Sequence, residues 1–203
     1  MADKAANPDY PILDLLRKRW SPYAFADRPV SAADLQSLFE AARWAPSSYN
    51  EQPWSYIVAT KTDTEQFEKV LSCLVEGNQV WARHVPVLGL GIITRQFKLN
   101  GKPNKAAEHD LGLASSDLVT EATSRGLYVH QMIGILPDKA QQVFQIPEGS
   151  EALTGLAIGY LGDGSNLPDA IKQRDAATRQ RKPLSDFVFT GKWGDPARFL
   201  QTK

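Results

Sequence analysis

The sequence predicts an α+β domain built on a central sheet. Three observations predict it. Residues 86–94, PVLGLGIIT, form an unbroken apolar run of strand length, the pattern of a strand covered on both faces. Residues 153–161 form a second apolar, glycine-containing run. Around them lie segments with apolar residues at helical spacing, the longest over 106–124.

The elements follow in order. Pro11 is placed to open a first helix at N1, with Ile12, Leu15, Leu16 and Arg19 at helical spacing and a stop near Pro22. Ser31 caps a second helix, whose Leu35, Leu38, Phe39 and Ala42 share one face and which Pro46 stops. WSYIVAT (54–60) reads as a strand, and 62–74 as a short helix with Phe67, Val70, Leu71 and Leu74 inward. The long helix carries Leu111, Ala114, Leu118 and Ala122, and Gly126 ends it. Residues 127–132 form a further strand, Pro137-Asp138 starts a short helix, and the tail from Asp169 is polar. No repeat or flexible linker divides the chain, so 1–203 is expected to be one domain.

Composition narrows the function. Hydrophobic residues make up 42% and charged residues 23% of the 203-residue chain, ordinary for a soluble globular protein. Lys plus Arg equals Asp plus Glu, at 23 each, which argues against broad nucleic-acid or membrane binding. No apolar stretch approaches a membrane span, and the start MADKAANPDYP lacks the apolar core of a signal peptide. The lone Cys73 forms no intramolecular disulfide, fits a reducing compartment, and reads as a small structural residue. A cytoplasmic location is expected.

Motifs for common chemistries are missing. His84, His109 and His130 lie in no HxH, HxxxH or HExxH spacing, so no metal is expected. No GxSxG, GxGxxG or P-loop occurs, and Gly89-Leu90-Gly91 reads as close packing within a strand. Two basic clusters remain. Arg17-Lys18-Arg19 precedes Trp20-Ser21, and the stretch 169–182 has five basic residues against two acidic ones. Arg179 and Arg181 alternate, so in extended chain both point to one side and their guanidinium forks could meet one phosphate. A solvated basic face is the other reading. The loop 46–53 is polar and turn-rich, suited either to local side-chain-to-backbone bonds or to a polar ring edge.

Four segments together resemble the FMN-dependent nitroreductase family. They are RKRWSPYAF (17–25), PSSYNEQPW (46–54), DLGLASSDLVTEATSRGLYVHQMIG (110–134) and RQRKPLSDFVFTGKWG (179–194). The resemblance implies a mostly antiparallel central sheet flanked by helices and a homodimer with FMN at sites spanning the interface. Arg19 and Ser21, with Arg179 and Arg181, would hold the FMN phosphate and ribityl end. Trp20 and Tyr23 belong to the same motif, at positions where basic residues are usual, and Arg83 is either a substitute cation or a solvent-facing residue. Pro46, Ser47, Ser48, Asn50 and Gln52 would reach the flavin from the partner chain. Gln131, Met132, Ile133 and Gly134 would lie near the isoalloxazine, with backbone groups facing N5. No side chain is expected to be catalytic, because flavin N5 carries the chemistry. NAD(P)H would be the hydride donor and a small nitroaromatic or quinone the acceptor, in ping-pong order. The alternatives are a flavin-dependent oxidase or dehydrogenase of the same fold, or a non-catalytic flavin-binding protein. The short segment between Thr94 and Asp110 implies a small lid.

Overall fold

The computed structural model describes residues 4–200. Four strands form its sheet: β1 (Trp54–Thr60), β2 (Val87–Thr94), β3 (Tyr128–Met132) and β4 (Ser150–Gly159). Their spatial order is β1-β2-β4-β3, and every neighbouring pair is antiparallel. The helices are α1 (Asp14–Lys18), α2 (Ala32–Arg43), α3 (Thr64–Ser72), α4 (Glu76–Ala82), α5 (Ala107–Ser124), α6 (Pro137–Phe144) and α7 (Asp169–Ala176).

The apolar run of β2 sits in the centre because both of its faces are covered. Leu88, Leu90 and Ile92 pack with Phe67, Val70 and Leu71 of α3 and Trp81 of α4. Val87, on the other face, joins Leu156 and Ile158 of β4 against α2 and α5. Successive side chains of a strand point to opposite faces, so alternate residues feed the two core layers. Gly89 and Gly91 serve close packing, as expected. A Cβ on Gly89 would lie 3.0 Å from the Ile57 carbonyl oxygen, and one on Gly91 2.8 Å from Thr154 Cγ2.

The helix α2 starts at Ser31, whose hydroxyl accepts the Asp34 N–H at 3.0 Å. Its Leu38 and Ala42 pack on Ala114, Leu118 and Ala122 of α5. Gly126, at φ +71°, lets the chain leave α5 abruptly. The Leu127 N–H donates to Ala122 O at 2.8 Å, and β3 begins one residue later.

Several boundaries differ from the sequence expectation. The first helix begins at Asp14 rather than Pro11, because Leu13 is extended (φ −58°, ψ 139°). Arg19 is extended too (φ −60°, ψ 127°), which ends α1 well before Pro22. The helices α4 and α7 were not expected. Too short to show a period, α4 is held by the fully buried Trp81. In α7 only Ile171 is buried, so no apolar stripe exists to be read. Strand β4 starts at Ser150, because pairing with Thr94 extends it beyond its apolar run. Cys73 is buried, its Sγ 3.3 Å from Lys69 O, and burial pushes the thiol pKa up. Among the described residues no helix is long and apolar enough to cross a membrane.

Candidate functional site

Arg19, Arg179 and Arg181 line one cavity of about 1020 Å³, together with Lys182. The extended backbone at Arg19 turns the chain out of α1. Arg179 is pinned by its own guanidinium, whose Nη1 donates to Lys4 O at 2.7 Å and to Arg17 O at 3.0 Å. The Arg17 carbonyl also accepts the Ala6 N–H at 2.8 Å. Three separate pieces of chain, the N-terminal segment, the end of α1 and the basic tail, are thereby tied together. Arg19 Nη1 reaches Ser21 Oγ at 3.5 Å.

The electrostatics show that the cluster is charged and crowded. Burial holds the Arg19 guanidinium below its ordinary pKa, and Arg179 and Arg181 lower it further. Burial, then Arg181, lowers Arg179 in the same direction. The described ion pairs include none of the three arginines. Cations that repel one another and are met by neutral acceptors favour an anion between them.

Trp20 and Tyr23 lie outside this cavity. Trp20 lines a separate one of about 500 Å³ and meets Tyr128 edge-on at 6.1 Å. Lys4 Nζ stands 5.5 Å from the centroid of the Trp20 ring. The Tyr23 ring packs into the core, 5.1 Å from Trp81 and 4.6 Å from His130. His130 Nδ1 lies 2.9 Å from Pro22 O and must carry the proton to bond a carbonyl. Burial lowers the His130 pKa, opposed by the Pro22 bond and by Asp175. Arg83 is exposed at the C-cap of α4, with Nε donating to Gln79 O at 3.2 Å.

The segment after β3 alternates between core and surface. Gln131 is exposed, Met132 is buried, and Ile133 is 81% exposed. The Gly134 carbonyl accepts from Asn78 Nδ2 at 2.9 Å and from the Val75 N–H at 3.1 Å. Sequence reasoning missed Asn78, which sits on the unexpected α4.

The loop 46–53 bonds largely to itself, as its local reading requires. Ser47 Oγ accepts the Gln52 N–H at 3.0 Å, and Gln52 Nε2 donates to both Asn50 O and Asn50 Oδ1 at 3.1 Å. Tyr49, Asn50 and Gln52 nevertheless adopt positive φ, at 54°, 55° and 51°. The short segment after β2 leans on this loop. Phe97 meets Tyr49 edge-on at 5.9 Å, and the Lys98 N–H donates to Glu51 Oε1 at 2.8 Å. From α5, Asp110 Oδ2 accepts the Ser48 N–H at 3.0 Å, a contact that no motif signals. None of Pro46, Ser47, Ser48, Asn50 or Gln52 lines the arginine cavity.

Comparison with known proteins agrees with this architecture. The nitroreductase family model matches residues 16–89. A Stenotrophomonas maltophilia protein provisionally named an NADH dehydrogenase/NAD(P)H nitroreductase is 30% identical over 172 residues, 75% of this chain and 86% of its own length. A 15.4 kDa Mycolicibacterium smegmatis protein is 39% identical over 87 residues, 43% of this chain and 58% of its own length. A crystal structure described as an oxidoreductase containing FMN superposes with a TM-score of 0.88 at 34% identity, covering 96% of this chain and 99% of that one. By identity, coverage and shared architecture, the chain belongs to the nitroreductase family.

Proposed function

We propose that this chain is an FMN-dependent oxidoreductase that passes hydride from NADH or NADPH to nitroaromatic, quinone or similar electron-poor acceptors. The observation that carries the reading is the convergence of Arg19, Arg179 and Arg181 on one cavity. Three guanidinium groups suit a phosphate monoester dianion, since each fork donates two parallel bonds. Charge-assisted hydrogen bonds contribute about 1.5–3 kcal/mol each. The donor set therefore fits the phosphate end of FMN. FMN is also the group named for the similar crystal structure, and NAD(P)H nitroreductase the activity named for the S. maltophilia relative.

When bound, FMN supplies a carrier that accepts and returns hydride at N5, so donor and acceptor use one site in turn. The chain's own residues hold and orient. Arg19, Arg179 and Arg181, with Ser21, grip the phosphate end. Asn78 fixes the Gly134 carbonyl, and with it the backbone that faces the ring. Ile133 and Gly134, with Gln131 and Met132, line the ring side. Pro46, Ser47, Ser48, Asn50 and Gln52 serve the cofactor of the partner chain. Trp20 and Tyr23 belong to the same cofactor-binding segment.

A homodimer is part of this reading. No residue of the loop 46–53 lines the arginine cavity of its own chain, which suits a site shared between two chains. Leu13, Ile133 and Trp193 are 70%, 81% and 90% exposed, and exposed large apolar groups favour association. Residues 1–203 act as one domain, in the cytoplasm. The visible spectrum of the purified protein tests the function. A flavin spectrum that bleaches with NADPH without oxygen and returns on adding a nitroarene or quinone is expected. A colourless protein that takes up no FMN refutes the reading, and a flavin that neither NADH nor NADPH bleaches reduces it to a binding protein.

A further inference from the structure

The carboxylate of Asp110 is an unexpected group to find buried. Its side chain is 3% exposed, in the first turn of α5. A buried carboxylate persists only where hydrogen bonds replace its water, and a helix N-terminus favours it further. Asp110 Oδ2 accepts the Ser48 N–H at 3.0 Å, and Oδ1 lies 3.2 Å from His109 Nδ1. The first bond leaves the helix and crosses 62 residues of sequence to the loop 46–53.

That loop needs an external hold. Tyr49, Asn50 and Gln52 are non-glycine residues in the left-handed region, a conformation that persists only where the surroundings over-determine it. The bonds from Asn50 N–H to Ser47 O and from Glu51 N–H to Ser48 O are internal and move with the loop. The contacts of Tyr49 and Glu51 run to Phe97 and Lys98, in a segment that is itself largely exposed. The Asp110 bond instead joins the loop to α5, whose next residue, Leu111, is 2% exposed in the core. It enters at Ser48, immediately before the first left-handed residue.

We propose that Asp110 is a positioning residue that acts through the Ser48 N–H to hold the loop 46–53 in its left-handed, cofactor-facing conformation. The inference rests on the flavin reading above for what the loop faces, and on the hydrogen bond alone for what holds it. Asn50 and Gln52 then present their side chains from a fixed backbone, and Asp110 itself touches no cofactor.

Two measurements test it together: FMN affinity by quenching of flavin fluorescence, and amide hydrogen exchange of residues 49–52 in the cofactor-free protein. Asp110→Ala is expected to raise the FMN Kd roughly tenfold and to speed exchange in the loop by a similar factor, the scale of one hydrogen bond to a charged group. Asp110→Asn keeps an acceptor oxygen and is expected to stay within about threefold of wild type in both. Ser48→Pro removes the donor from the other side. Ser47, at ψ 157°, already has the conformation that precedes proline. Its effect on loop exchange should match Asp110→Ala, and in exchange the double variant should be no worse than either, whereas its FMN Kd also includes the lost Ser48 side chain. Where Asp110→Ala does not fold, Ser48→Pro and Asp110→Asn carry the test. Unchanged exchange overturns the hold of Asp110 on the loop. Faster exchange with an unchanged FMN Kd overturns the link from loop to cofactor. A wild-type protein that binds no FMN overturns the flavin reading and the cofactor half of this inference, while exchange still decides the hold.

Discussion

The Arg179 guanidinium donates to the Arg17 carbonyl at 3.0 Å, joining residues 162 positions apart. Two basic clusters that are remote in sequence become one surface through this contact. The acceptor is a backbone oxygen rather than a carboxylate, so the bond fixes the position of Arg179 without neutralising it. Lys4 O adds a second neutral acceptor at 2.7 Å. A site held this way retains its positive charge for an incoming anion.

Removing a gripping arginine should therefore weaken FMN binding in a position-specific way. Arg19→Ala or Arg181→Ala is expected to raise the FMN Kd about tenfold or more, the loss of charge-assisted bonds worth about 1.5–3 kcal/mol each. Lys172→Ala should stay within about twofold, because Lys172 lines the other cavity and lies 3.7 Å from Asp169. Equilibrium dialysis giving the same affinity for all three variants would refute the phosphate assignment.

His130 should make stability pH-dependent. Burial holds its imidazole below the ordinary value of 6.5 in the folded chain. As pH falls through about 6.5, the unfolded chain binds this proton first. The contribution is therefore full above the unfolded pKa and is lost as pH falls from there towards the folded pKa. Burial lowers the pKa of His84 as well, so it contributes to the slope in the same direction. His130→Gln keeps a donor for Pro22 O but does not titrate, so its Tm should decline less steeply from pH 7 to pH 5. An unchanged slope, by calorimetry, counts against the assignment.

Gly134 should not tolerate a side chain. A Cβ there would lie 2.6 Å from Asn78 Nδ2 and 2.9 Å from Val75 Cγ2. It would displace the amide that holds the Gly134 carbonyl. Gly134→Ala should cost about 1–3 kcal/mol of stability through overpacking. It should also weaken FMN binding, with Asn78→Ala changing affinity in the same direction. Urea unfolding and fluorescence titration read the two effects separately, and a Gly134→Ala protein equal to wild type in both would exclude the close approach.

The cap of α2 gives a prediction far from the site. Ser31→Ala removes the acceptor for the Asp34 N–H and should cost about 0.5–2 kcal/mol by urea unfolding. FMN affinity should stay unchanged, so a large loss of binding would show that α2 is coupled to the site.

Much of the fold was legible because its elements are dictated by local pattern. The apolar run of β2, the Ser31 cap and the period of α5 each express a rule acting over a few residues. The same holds for the left-handed exit at Gly126. Where local pattern was weak, the elements went unread. The seven residues of α4 are anchored by Trp81 reaching the core, and α7 buries only Ile171.

The site divides in the same way. Residue types and spacing marked its basic clusters and its polar loop as candidates, because guanidinium forks suit a phosphate and turns need small polar residues. The resemblance to the family is what singled out Arg19 and a cofactor role for the loop. The contacts of Asn78 and Asp110 could not be named. Asn78 belongs to none of the quoted segments, and although Asp110 opens the segment 110–134, nothing in that segment points to Ser48. The two bonds span 56 and 62 residues of chain.

By itself, then, the sequence determined the order of most helices and strands and the chemistry available in each segment. Only the tertiary structure decided that Arg19 meets Arg179 and Arg181 while Tyr23 turns into the core against Trp81 and His130. The physical reason is that charge and hydrogen-bonding capacity belong to a residue, whereas direction and neighbours belong to the packed chain. A buried face must be filled and buried polar groups are, with few exceptions, partnered. Those demands, set by distant parts of the molecule, sent the Tyr23 ring inward and left the arginines of both chain ends facing one cavity.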